Sequence, residues 1–171
     1  MQQFKYCPVC AGELETRMME DKERLVCTKC GYVLYENSKP CTAVLVEDNG
    51  RVMLTRRGID PFRDWWDLPG GFLENGEEPV EGAKRELMEE TGLEIEVLDL
   101  LGIEVDTYGD YGIYTLNFHY LSKPIGGTAS PKSDVAEIRW FLPDEIPENI
   151  AFANCKSAVE KWVKYKKARK N

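Results

Sequence analysis

The chain has 171 residues, 43% of them hydrophobic, and a formal net charge of −8. That length holds one ordinary domain with a small extra module, and the apolar content suffices for a real core. The acidic balance argues against nucleic acid as a partner, which needs a basic surface, and no run approaches the ~18 apolar residues of a membrane helix.

The amino-terminal stretch MQQFKYCPVC carries no apolar signal region, so the chain reads as a cytoplasmic protein. Cys7 and Cys10 have two residues between them, as do Cys27 and Cys30, and the gap between the pairs is that of a four-cysteine zinc site. Each knuckle presents two thiolates to a tetrahedral Zn²⁺, whereas a pair of disulfides would need an oxidising compartment. Residues 1–38 are therefore expected to form a zinc ribbon with short strands near 14–18 and 24–26, folded by its metal. Glu13, Glu15, Glu20, Asp21 and Glu23 offset its basic residues, which favours a structural or oligomerising role. Cys41 and Cys155 read as small buried hydrophobes, and residues 37–40 as a linker.

Residues 39–171 read as a second domain. Strands are expected at 42–47 and 51–57, joined through Asn49-Gly50, whose tolerance of positive φ suits a hairpin. Arg56 and Arg57 end the second strand, where either is placed to reach a substrate phosphate or to stand as an exposed pair. The loop 58–67 holds Pro61, Phe62, Trp65 and Trp66, which fit either a stacking wall for a base or ordinary packing.

A helix follows from Pro79, suited to a first turn, to Thr91, with Gly92 suited to the left-handed position beyond it. Val80, Ala83 and Leu87 form its apolar stripe, and Glu86, Glu89 and Glu90 fall within an arc of about 100° beside that stripe. Such carboxylates repel one another, and a hard divalent cation such as Mg²⁺ is the natural counter-charge. Arg85 neutralises part of the charge, with Glu77 as its ion-pair partner. Beyond the helix, strands are expected at 95–105 and 113–121 around a loop carrying Tyr108 and Tyr111. His119, the single histidine, reads as structural. A Gly/Pro-bearing loop at 123–133, a strand at 135–141 and an amphipathic helix at 154–170 complete the chain.

From Gly71, five residues precede Glu77, seven more precede Arg85-Glu86, and Leu87-Met88-Glu89-Glu90-Thr91-Gly92-Leu93 follows. This stretch resembles the Nudix box, glycine-x5-Glu-x7-Arg-Glu-aliphatic-x-Glu-Glu-x-Gly-aliphatic, at every fixed position. The resemblance implies an α/β fold, a Nudix-type α/β/α sandwich with a mixed sheet. It also implies hydrolysis of a nucleoside diphosphate linked to another group, X, with Mg²⁺ or Mn²⁺ held by Glu86, Glu89, Glu90 and a backbone carbonyl at Gly71. Glu77 would orient Arg85, and Asp134 or Glu137 would prepare the attacking water.

A four-cysteine ribbon before such a domain is the arrangement of NADH pyrophosphatases, but their Ser-Gln-Pro-Trp-Pro-Phe-Pro-x-Ser run is absent. The proline that marks many ADP-ribose pyrophosphatases is also missing, with Tyr108 near its place. Tyr108 and Tyr111 are similar to the tyrosines of diadenosine polyphosphate hydrolases. X is left open. The competing expectation is a non-catalytic Nudix domain that senses a nucleotide, and many Nudix domains are homodimers.

Overall fold

The computed structural model describes residues 4–168, and the chain divides between Asn37 and Ser38 into two compact units. In the first, β1 (Leu14–Met19) pairs antiparallel with β2 (Lys22–Cys27), which pairs with the two-residue β3 (Val33–Leu34). The turns 7–10 and 27–30 bring the four thiols within 4.8 Å of one another. Cys7 Sγ lies 3.7 Å from Cys30 Sγ, and Cys10 Sγ 3.5 Å from Cys27 Sγ. Backbone N–H groups of Cys30 and Lys29 donate to Cys27 Sγ, at 3.5 and 3.4 Å, and with the Cys30 bond foremost they draw its thiol down to about 6. Apart from Cys7 and Cys27, Val26 is this unit's buried apolar residue, while Phe4, Tyr6, Val9 and Met18 are exposed. So small a core leaves folding to the metal.

The second unit is built on β4 (Lys39–Asp48), whose side chains alternate between two cores. It continues through β5 (Arg51–Arg57), β6 (Trp66–Asp67), β7 (Gly70–Phe72), α1 (Pro79–Thr91), β8 (Leu93–Thr107), β9 (Tyr114–Gly127), β10 (Val135–Phe141) and α2 (Ala153–Ala168). The sheet runs β10-β5-β4-β9-β8, with β6 on β5 and β7 on β4. β4 and β9 are parallel and the other neighbours antiparallel, so the sheet is mixed. Val44 and Val46 pack with Met53, Ala83 and Leu87 under α1. Ala43 and Leu45 pack with Leu54, Trp66, Val159 and Trp162 under α2. One helix on each face makes the sandwich.

Three expectations need correction. Lys39 and Pro40 are not linker but the start of β4. The loop expected at 123–133 starts later, because residues 123–127 continue β9 and pair with residues 93–96 of β8. A register shift between Glu94 and Ile95 lies beside Pro124, where a residue without an N–H is tolerated. The loop 58–67 ends in the unexpected β6, and β7 follows at once. α2 begins near its expected start, and the expected end at Lys170 lies outside the described residues. His119 is buried in β9, neither ring nitrogen has a hydrogen-bond partner, and burial lowers its pKa.

Candidate active site

Local rules fix α1. Pro79 occupies its first turn, and Gly92, at φ 72° and ψ 14°, ends it by donating its N–H to Met88 O. With Val80, Ala83 and Leu87 packed on the sheet, residues 85, 86, 89 and 90 border that packed face.

Arg85 is the hub of this border. Its Nε and Nη2 grip Glu77 Oε1 and Oε2 at 2.7 and 2.9 Å, a bidentate pair. Nη2 also donates to Phe72 O at 3.1 Å, while Nη1 donates to Glu86 Oε1 at 2.9 Å and Glu89 Oε2 at 3.3 Å. Glu77 Oε2 accepts the Glu74 N–H, and its carboxyl is drawn down to about 2, mainly by Arg85. One guanidinium thus ties the loop before the helix to the acidic side of the helix itself.

Glu90 differs. It is 8% exposed, and its Oε2 accepts the Gly70 N–H at 3.0 Å. Burial, and then the charge of Asp134, push its carboxyl well above the usual range. Burial also raises Glu86, with Glu89 and Asp134 adding repulsion. The backbone of the Gly70-Gly71 turn lies against these carboxyls: a Cβ at Gly71 would stand 2.6 Å from Glu86 Oε1. At Gly70 a Cβ would meet Thr42 O at 2.1 Å and Ala43 Cα at 2.8 Å, both main-chain atoms of β4. Gly70→Ala is accordingly expected to lower the free energy of unfolding by roughly 3 kcal/mol or more, measured by denaturant titration.

Glu86, Glu89, Glu90, Gly71 and Asp134 line one cleft of about 440 Å³, together with Arg57 and Tyr108. The structure separates the remaining expected residues from it. Glu77 and Arg85 stand behind the carboxylates rather than in the lining. Glu137 pairs with Arg56 and Arg139, and Arg56 pairs also with Asp64. Trp66 is buried in the core edge-on to Phe141, with ring centroids 5.0 Å apart. Tyr111 is exposed and stacks on Tyr108 at 6.1 Å.

The cleft also holds residues that the sequence reading did not single out. Asp67 is buried, with Oδ2 accepting from Arg57 Nη1 at 3.3 Å and Oδ1 from the Leu68 N–H at 2.9 Å. Burial raises its carboxyl to about 6 even beside Arg57. Phe152 packs against Tyr108, with Arg57 5.1 Å above its ring. Asn117 and Asn154 complete the buried polar lining. No spacing marks these residues, because four separate segments bring them together.

The NUDIX domain family matches residues 38–163, and the Nudix N-terminal zinc-ribbon family matches residues 5–36. The chain belongs to the Nudix hydrolases. A MutT-like protein of Streptomyces ambofaciens is 37% identical over 115 residues, 67% of this chain and 70% of the relative. An ADP-ribose pyrophosphatase of Methanocaldococcus jannaschii is 31% identical over 117 residues, 68% of this chain and 69% of that one. The crystal structure of a NUDIX hydrolase from Nitrosomonas europaea superposes with a TM-score of 0.85 at 30% identity, covering 96% of this chain and 93% of its own. Both units of this Nudix hydrolase therefore have a counterpart in one solved molecule.

The four cysteines suit Zn²⁺: soft thiols held within 4.8 Å, with backbone N–H donors on sulfur. The cleft offers a different set, hard carboxylate oxygens whose charges raise one another's pKa, which suits a hard divalent cation.

Proposed function

We propose that this Nudix hydrolase cleaves the phosphoanhydride bond of a nucleoside diphosphate linked to a second group. In this reading Glu86, Glu89, Glu90 and the Gly71 carbonyl hold Mg²⁺ or Mn²⁺, and the zinc is structural. The observation that carries the reading is the juxtaposition of Glu86, Glu90 and Asp134 in one cleft, two of them raised by burial and mutual charge. The guanidinium that lines that cleft, Arg57, is already engaged by Asp67.

A divalent ion bound there neutralises the diphosphate and lowers the pKa of a water it holds. The chain's own residues supply position. Arg85, clamped by Glu77, fixes the Glu86 and Glu89 carboxylates, and the Gly70 N–H fixes Glu90. Asp134 takes the proton of the attacking water: it lines the cleft, and its charge is felt by both Glu86 and Glu90. Glu137 is held by two arginines outside the lining.

Two measurements test this. Phosphate release, after coupling to a phosphatase, is followed for ADP-ribose, NADH, diadenosine polyphosphates, nucleotide sugars and nucleoside triphosphates with Mg²⁺. Turnover of one compound class, lost in Glu89→Gln, establishes hydrolysis and identifies X; no turnover by folded, metal-loaded protein would leave a nucleotide-binding domain. With the preferred compound, Asp134→Asn is expected to lower kcat about 10²-fold or more and to remove the acidic limb of its pH profile. Glu137→Gln should change kcat less than about fivefold, the reach of a surface ion pair. The reverse order would assign the base to Glu137.

A further inference from the structure

The two ends of the cleft differ in chemistry. At one, carboxylates gather around the Gly70-Gly71 turn; at the other, Arg57, Asp67, Asn117 and Asn154 stand beside the rings of Tyr108 and Phe152. Tyr108 and Phe152 stack with centroids 5.7 Å apart and planes 18° apart, so this end carries a large π surface. Asp67, Asn117 and Asn154 are each less than 9% exposed, and so are polar groups taken out of water.

This second end is unsuited to a phosphate. Its guanidinium, Arg57, is paired with Asp67, and Asp67 adds a carboxyl of its own. The start of α2, the other natural seat for an anion, is capped already: Asp106 Oδ2 accepts the Asn154 N–H at 3.0 Å. A bare aliphatic group would strand the buried polar lining. What fits is neutral, flat and able to hydrogen-bond at its edge. Asp67 accepts from the Leu68 N–H, Arg57 Nη1 and the Cys155 thiol, which fill three of the roughly four acceptor positions of a carboxylate. Arg57 Nη2 is buried and has no hydrogen-bond partner among the described residues. An acceptor position and a leftover donor are thus held together by one ion pair.

We infer that this end of the cleft is a nucleobase slot, in which Asp67 accepts an N–H from the base edge while Arg57 donates to the neighbouring ring nitrogen or carbonyl. The inference rests on the hydrolase reading for the nature of the ligand, but makes Asp67 a specificity-determining residue in its own right. Tyr108 and Phe152 supply sequence-tolerant stacking, and Asp67 with Arg57 supplies the discrimination between bases.

The test is equilibrium binding of AMP, GMP, CMP and UMP to the full-length protein, which requires no turnover. One of the four is expected to bind at least about tenfold tighter than the weakest. On the native protein, replacing the edge N–H of that preferred base by methyl (N6,N6-dimethyl-AMP, 1-methyl-GMP, N4,N4-dimethyl-CMP or 3-methyl-UMP) should weaken binding about tenfold or more. Asp67→Asn, which exchanges an acceptor for a donor, should reorder the four. Binding of all four within about threefold, a methylated base bound as tightly as its parent, or a uniform loss in Asp67→Asn would each overturn the slot. Should Asp67→Asn fail to fold, the methylated ligands still decide. Base preference without turnover would count against hydrolysis and not against the slot; turnover without base preference would do the opposite.

Discussion

Glu90→Gln is expected to abolish hydrolysis and at the same time to stabilise the metal-free fold. Activity should fall at least about 100-fold, because the substitution removes an oxygen charge that the proposed Mg²⁺ site requires. Stability should rise because the native carboxylate is buried beside Asp134 and Glu86, with the Gly70 N–H as its printed hydrogen-bond donor. The glutamine carbonyl retains that bond and carries no charge. The sign of the pH dependence follows. A carboxyl whose folded pKa is raised contributes stability below its unfolded value, and this is lost as pH rises through the folded value. At neutral pH the wild type therefore bears the cost of ionising Glu90. A gain of roughly 2–4 °C in the unfolding midpoint, for each kcal/mol relieved, is expected near neutral pH. It should vanish near pH 4, where the group is protonated in both states. Thermal unfolding in chelator across that range checks it, and an unchanged or lower midpoint at neutral pH would count against a carboxylate under charge stress.

Removal of zinc should act on the other unit. A strong chelator, or Cys27→Ser, is expected to unfold the segment before Asn37 and leave the unit from Ser38 onward intact. The first unit has almost no apolar core besides its thiols, and structural zinc supplies on the order of 10 kcal/mol to domains of this size. The second has its own two cores, one beneath each helix. Limited proteolysis should then cut within residues 4–37 of the zinc-free protein and spare residues 38–168, and added Zn²⁺ should restore resistance. Equal resistance with and without zinc would show that the ribbon holds itself together by other means.

The box helix was legible residue by residue, because Pro79, Gly92 and the glutamate spacing are local signals. So was the cysteine cluster. What depended on strand phase was not. Arg56 and Arg57 are neighbours in β5, and a strand sends neighbours to opposite faces; only one of them reaches the cleft. The same alternation in β6 puts Trp66 in the core and Asp67 in the lining, which reverses the emphasis that an aromatic residue invites. Sequence alone does not give the phase of a two-residue strand. Residues 123–127 failed for another reason: Pro124, Gly126 and Gly127 are turn residues by local preference, and pairing with residues 93–96 overrode it. Asp134 and Glu137 were equivalent as acids near one strand, and the ion pairs of Glu137 with Arg56 and Arg139 distinguish them.

Arg85 gives the box carboxylates unequal starting conditions. Glu86 and Glu89 share its Nη1 and so possess a resident counterion, whereas Glu90 holds a backbone N–H instead. Cation uptake at the first two is an exchange, an incoming charge competing with a tethered one that never leaves the molecule. At Glu90 it is relief of an unmet electrostatic demand. The affinity of such a centre is thus a difference between two large attractions, set as much by how firmly Glu77 holds the guanidinium as by the carboxylates that receive the ion.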